Sequence, residues 1–285
     1  MMRPHVGRRR SGFLVALVAL AASAGGALAE GEPEAKARLE FLQAAVASLD
    51  PETADPRSKA AFAVVPKPLL RYSDPTRGGV KAEDAVNVLI DAGVWRLGAE
   101  GRPAALVTLE IYKAADGSRL LSFEFLSLTE TAFTLRHKTE AVRWDATGSG
   151  LSLKELPDAP RPAATPAGRL TQMRQFARRF AATERFNKET IECRLVAQPI
   201  DRYHSAAQKI DDGAIFAYAN GTNPELGVVL ESDGARWRYG VLRLGAAQSA
   251  VTLDGQQVAA YEAFNPRGRK DGPYNSGSHK IAAGE

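Results

Sequence analysis

Ala105-Leu106-Val107-Thr108-Leu109-Glu110-Ile111-Tyr112 runs into Asp116-Gly117 and then into Leu120–Leu128; further on, Leu226-Gly227-Val228-Val229-Leu230-Glu231 runs into Asp233-Gly234 and then Trp237–Leu244. An apolar run, an Asp-Gly dipeptide and a second apolar run spell a β-hairpin, because these two residues tolerate the backbone a tight turn requires. The signal occurs twice, and the sequence around it matches as well. Residues 37–73 align without a gap on 168–204, placing Arg38 on Arg169 and Pro68-x-x-Arg71-Tyr72 on Pro199-x-x-Arg202-Tyr203. After ten residues absent from the second copy, 91–110 falls on 212–231, with Asp91 on Asp212, Pro103 on Pro224 and Glu110 on Glu231. Ala132-x-Thr134-Leu135 then falls on Ala250-x-Thr252-Leu253. Blocks in one order point to an internal duplication.

Each copy opens on a helical period. Leu39, Leu42, Val46 and Leu49 recur at three-to-four spacing before Pro51, and Leu170, Met173, Ala177 and Phe180 occupy the matching places after Pro166. The arginines of the second stripe, Arg169, Arg174, Arg178, Arg179 and Arg185, read as a solvated face opposite the apolar one. Alternation in Phe62-Ala63-Val64-Val65 and in Cys193-Arg194-Leu195-Val196 adds a strand to each copy, and Phe133–Leu135 and Val251–Leu253 add another. The expected fold is α+β: two tandem related modules, 30–156 and 167–264, each one helix followed by an antiparallel β-meander of four or more strands. Between them, the Pro-rich 157–166 reads as an extended linker, and the Gly-, Lys- and Ser-rich 265–285 as a disordered tail.

Residues 1–29 read as a cleavable signal peptide. A start with Arg3, Arg8, Arg9 and Arg10 precedes the apolar run Phe13–Ala22, and Ala27-Leu28-Ala29 offers the small-x-small cleavage pattern. The apolar run falls short of the roughly 20 residues a spanning helix needs, so a secreted or periplasmic protein without a stable membrane anchor is expected. The chain holds 37 Lys+Arg against 33 Asp+Glu. Four arginines and no acid lie in 1–29, so the remainder carries 33 of each sign and a formal charge of zero. The positive excess belongs to the leader and argues against a nucleic-acid partner.

Cys193 is the one cysteine, so no intramolecular disulfide can form. Its place in an alternating apolar stretch predicts an inert, buried thiol. His137, His204 and His279 show no metal-ligand spacing, and no metal or other cofactor is expected. No Gly-x-Ser-x-Gly elbow, phosphate loop, dinucleotide fingerprint or His-Glu-x-x-His occurs. The blocks Pro68–Val80, Gly101–Glu110, Arg169–Glu184, Gln198–Tyr203 and Gly221–Glu225 resemble a group of uncharacterised exported proteins of planctomycete-type bacteria. The resemblance implies export and no particular activity, substrate or site.

The repeated polar residues are the candidates for function. Arg71-Tyr72 and Arg202-Tyr203 could each offer a guanidinium fork beside a phenol to an anionic ligand, or could lock a strand exit with Glu110 and Glu231 as partners. Those two glutamates could instead form a symmetric acid–base pair. Asp91 and Asp212 read as turn residues, Asp212-Gly213 being a typical turn pair. The loop 74–90, with Arg77, is the main insertion of the first copy, and long polar loops on a rigid scaffold often carry function. Together these features predict a non-enzymatic binding module for a small molecule or an envelope component, with its site at the inter-repeat cleft or at the 74–90 loop. A carboxylate-based hydrolase of the cell envelope and a structural envelope component are the alternatives.

Overall fold

The computed structural model describes residues 32–74, 87–114, 116–138, 142–186, 188–265 and 271–281. The expected leader, Arg77 and most of the 74–90 loop lie outside these residues. Two helices, α1 (Glu32–Ala47) and α2 (Pro166–Ala177), stand at the two helical periods. Thr165 caps α2, its hydroxyl accepting the Gly168 N–H at 3.1 Å, with Pro166 at the first helical position, where no N–H is needed. The fourth member of each apolar stripe, Leu49 or Phe180, has already left its helix for the strand that follows, β1 (Leu49–Thr53) or β9 (Phe180–Phe186).

The α+β expectation of two helix-plus-meander modules is overturned. Strands make up about half of the described residues, with 17 strands in three sheets and two α-helices among them. The first hairpin joins β4 (Ala105–Ala114) to β5 (Arg119–Ser127) in a five-stranded antiparallel sheet with β3 (Asn87–Leu97) and β2 (Leu70–Asp74). A three-stranded sheet of β1, β6 (Phe133–His137) and β7 (Arg143–Ala146) lies apart from it. After the short β8 (Lys154–Glu155), the strands β9, β10 (Glu189–Leu195), β11 (Asp201–Ser205), β12 (Ile210–Asn220), β13 (Asn223–Ser232), β14 (Trp237–Arg243), β15 (Gln248–Leu253) and β16 (Gln256–Tyr261) form one continuous sheet. It is continuous because β10 pairs with β9 through 189–193 and with β12 through 194–195. In the first half the corresponding segment, Pro56–Phe62, is a 3-10 turn, and Val64 makes an isolated bridge to Leu97. Phe62–Val65 is therefore no strand, despite its alternation.

The tail expectation also fails for Tyr274–Ile281. These residues form β17, antiparallel to β5 from Tyr274↔Leu126 to Ile281↔Arg119, and complete the five-stranded sheet.

The architecture is a β-sandwich. One apolar cluster draws Tyr72, Ala92, Val94, Leu106 and Tyr274 from the first sheet and Tyr203, Ile215, Ala217, Val229 and Leu242 from the second, so the sheets share a core. The opposite faces are covered separately. Trp95, Val107, Leu109 and Phe125 pack with Leu42 and Val46 of α1 and with Leu135 and Trp144. Phe216, Val228, Leu230 and Trp237 pack with Met173 and Phe176 of α2 and with Val251. Central strands buried on both faces read as nearly continuous apolar runs, which is why β3, β4, β12 and β13 are so apolar.

Candidate functional site

The repeated arginines and tyrosines are built into the fold. Arg71 Nε and Nη2 donate to the two oxygens of Asp91 at 2.9 and 2.6 Å, and Nη2 also donates to the Ala35 carbonyl of α1 at 2.6 Å. Arg38, from the same helix, donates to Asp91 at 3.3 Å. The second half repeats each contact: Arg202 grips Asp212 at 3.0 and 2.7 Å and the Pro166 carbonyl at 2.6 Å, and Arg169 donates to Asp212 at 2.9 Å. Each aspartate thus clamps a helix onto its sheet. Asp91 and Asp212 are strand residues at the centre of these clamps rather than turn residues, and Arg169 is held inward rather than solvated. Gly213 is glycine because the Tyr203 ring lies over it, within 2.4 Å of where a Cβ would stand. Both tyrosine hydroxyls find the expected glutamates, Tyr72 on Glu110 and Tyr203 on Glu231, each at 2.9 Å. None of Arg71, Tyr72, Arg202 and Tyr203 lines the cavities described next.

Glu110 and Glu231 then part company. Arg102 crosses between the halves and binds both oxygens of Glu231 at 2.7 Å, in a bidentate pair beside the Tyr203 hydroxyl. Glu231 is sealed within that cluster and fully buried. Glu110 holds the hydroxyls of Tyr72 and Tyr112, each at 2.9 Å, and borders a cavity of about 300 Å³. The residue that aligns with Arg102 is Asn223, each standing just before the matched proline, and Asn223 lines this same cavity. The expected acid–base pair of Glu110 and Glu231 thus does not share a cavity.

Three further carboxylates reach the cavity: Glu124 from β5, Glu184 from β9 and Glu225 from β13. Glu184 accepts the Asn220 amide at 2.8 Å and Glu225 that of Asn223 at 2.9 Å. Burial first, and then the charge of Glu110, pushes the Glu124 carboxyl well above the usual carboxylate range; the Tyr274 hydroxyl and the Arg243 guanidinium draw it back in part. Ser276 and Ser278 of β17 supply hydroxyl-bearing side chains to the same wall. The carboxylates line the wall rather than meet at a point: among the described residues no three acidic, histidine or cysteine side chains could hold one metal ion. A second, larger cleft of about 870 Å³ lies beside Arg102, Gln208, Leu128 and Leu151 and gathers no comparable set of carboxylates.

Cys193 is buried, and its thiol is pushed up to about 12, chiefly by burial, so it is not poised as a nucleophile. No helix among the described residues is long and apolar enough to cross a membrane. Compared with protein-family models, with curated proteins and with solved structures, the chain matches none.

Of the residues in this cavity, sequence reasoning singled out Glu110 alone. Glu124, Glu184 and Glu225 come from three separate strands with no common spacing, and only the pairing of the sheets brings them together.

Proposed function

We propose that this is an exported binding protein whose pocket between the sheets takes a small organic cation with a guanidinium group. The observation that carries the reading is the arrangement at Glu231. There a buried glutamate that accepts a tyrosine hydroxyl seats the guanidinium of Arg102 bidentately, the geometry for which the planar fork is built. Glu110 is its aligned counterpart, carries the same tyrosine contact, and faces a cavity where Asn223 stands in place of Arg102. Glu184 and Glu225 bring further carboxyl groups to that cavity, and Glu124 adds its charge once the pH is high enough to ionise it. The duplication read from the sequence belongs to this proposal; the matching Arg–Asp–Arg clamps support it. Export is supported by the cationic start, the apolar run and the Ala27-Leu28-Ala29 pattern.

Agmatine is the probe. Calorimetry at pH 8 on the full chain, expressed with its own leader, should show saturable agmatine binding, with putrescine at least tenfold weaker. Asn223→Arg, which places a guanidinium opposite Glu110, should abolish binding without lowering the melting temperature. No heat of binding from either cation at millimolar concentration would sink the proposal.

One observation favours a second reading. Glu110 and Glu124 are diagonal neighbours on adjacent strands, since Glu110 pairs with Ser122, and Glu124 holds its proton to higher pH. A carboxyl that holds its proton beside a second carboxyl is the pairing from which acid–base hydrolysis is built. Glu124→Gln would abolish turnover in a hydrolase; in the binding protein it lowers affinity and leaves no reaction to lose.

A further inference from the structure

Arg243, the last residue of β14, is buried and makes no ion pair among the described residues. Its polar edge is spent on backbone: Nε donates to the Gly245 carbonyl at 2.8 Å, and Nη2 to those of Ala246 and Ala247 at 2.6 and 3.4 Å. Aromatic rings surround the guanidinium carbon, with centroids at 4.7 Å for Tyr274, 5.7 Å for Phe264 and 5.8 Å for Tyr261. Carbonyl dipoles and ring faces both attract the guanidinium, and neither carries a countercharge that would cancel its field.

The segment it grips is the pocket wall. Ala246 and Ala247 line the cavity beside Glu124 and Glu225. The Leu244 and Gly245 N–H groups donate to the Glu225 carbonyl at 2.9 and 2.8 Å. Phe264, itself against the guanidinium, donates its N–H to the Ala246 carbonyl at 2.7 Å. Arg243 thus holds, through three carbonyls, the segment that lies beside Glu124 in the pocket wall.

We propose that Arg243 is the positioning residue of this pocket: its fork fixes 245–247 as a wall beside Glu124, and its charge lies behind that wall. The role of the wall in ligand affinity rests on the binding reading above; the hold on the wall does not. Among the described residues, the titratable and charged groups facing Glu124 are Tyr72 from β2, Glu110 and Tyr112 from β4, Glu184 from β9, Glu225 from β13, Arg243 from β14 and Tyr274 from β17. Arg243 is the one cation in that set, so its removal should make Glu124 still harder to ionise.

Arg243→Lys keeps the charge and loses the fork, whereas Arg243→Met loses both. Three measurements on the full chain test the proposal: amide hydrogen exchange at Ala246 and Ala247, titration of Glu124 by carboxyl carbon NMR, and agmatine affinity across pH. With Lys, exchange at both amides should accelerate at least tenfold and agmatine affinity should fall at least tenfold, while the Glu124 midpoint stays put. With Met, the midpoint should also rise, and the onset of agmatine binding should move to higher pH with it. Exchange no faster than wild type in folded Arg243→Lys would overturn the proposal, as would a Glu124 midpoint unmoved in folded Arg243→Met. If Met prevents folding, the Lys variant decides alone. If wild type binds no agmatine, the cation reading falls, while exchange and titration still decide whether Arg243 holds the wall.

Discussion

A single aspartate settles how each helix meets its sheet. Asp91 accepts from Arg38 and Arg71, and Asp212 from Arg169 and Arg202; in each case the carboxylate is almost wholly buried. Taking such a group out of water is costly, and the clamp is favourable only while both arginines stay in place. Asp91→Asn removes the buried carboxylate that Arg38 and Arg71 share and should cost about 3 kcal/mol, read as a lower urea midpoint. Arg71→Ala, whose side chain is 36% exposed, should cost less, about 1 kcal/mol. An Asp91→Asn variant as stable as wild type would mean the clamp is incidental. The repeated Arg-Tyr dipeptides and their glutamates were legible in the sequence because repetition marks them. Asp91 was not, because β3 and β4 shift register between Leu89 and Asp91, and a residue beside a bulge carries no spacing that ties it to a helix.

At the scale of elements, polarity and position explain what the sequence hid. The strand β17 reads Tyr-Asn-Ser-Gly-Ser-His-Lys-Ile, too polar to announce itself, yet a sheet edge favours such a composition because an apolar edge invites aggregation. Phe62–Val65 shows the converse, with alternation enough for a strand but a 3-10 turn just before it. The hairpins were legible because their central strands are apolar on both faces. Gly277 sits where a Cβ would come within 2.6 Å of the Phe123 ring, so Gly277→Val should destabilise by about 1–3 kcal/mol through overpacking. Removing 271–281 should cost more, since it strips eight residue pairs from β5 and takes Tyr274 from the Arg243 cage. Equal thermal stability of the shortened and full chains would refute the place of β17 in the sheet.

Across the whole molecule, the sheets are held by shared apolar surface and, among the described residues, by two inward-facing ion pairs between halves. Arg96 donates to Asp201 at 2.6 Å with both side chains buried, and Arg102 binds Glu231. The positions aligned with Arg96 and Asp201 are Ala217, in the central apolar cluster, and Leu70, half-buried against it. One end of the sandwich thus uses charge where the other uses hydrocarbon. Asp201→Asn should cost about 3 kcal/mol by leaving Arg96 buried without its anion, whereas Arg96→Met combined with Asp201→Leu should recover most of that loss. Urea denaturation of the two singles and the double closes the cycle; a double variant no more stable than the worse single would show that geometry, not charge, sets the cost. No spacing in the sequence announces these contacts, because each joins residues from opposite sides of the Pro-rich connection.

The pairing of β17 with β5 also sets an order of events during biosynthesis. The first half is made first, yet its sheet cannot close until Ile281 has left the ribosome. The second sheet has all its strands once Tyr261 has been added. Until the final pairing, β5 presents a bare edge to other nascent chains, and contacts made over so long a stretch of chain form late. A chaperone or export factor that shields one edge would therefore serve this protein best at β5, and translation stalled between Tyr261 and Tyr274 would release a species ready to aggregate.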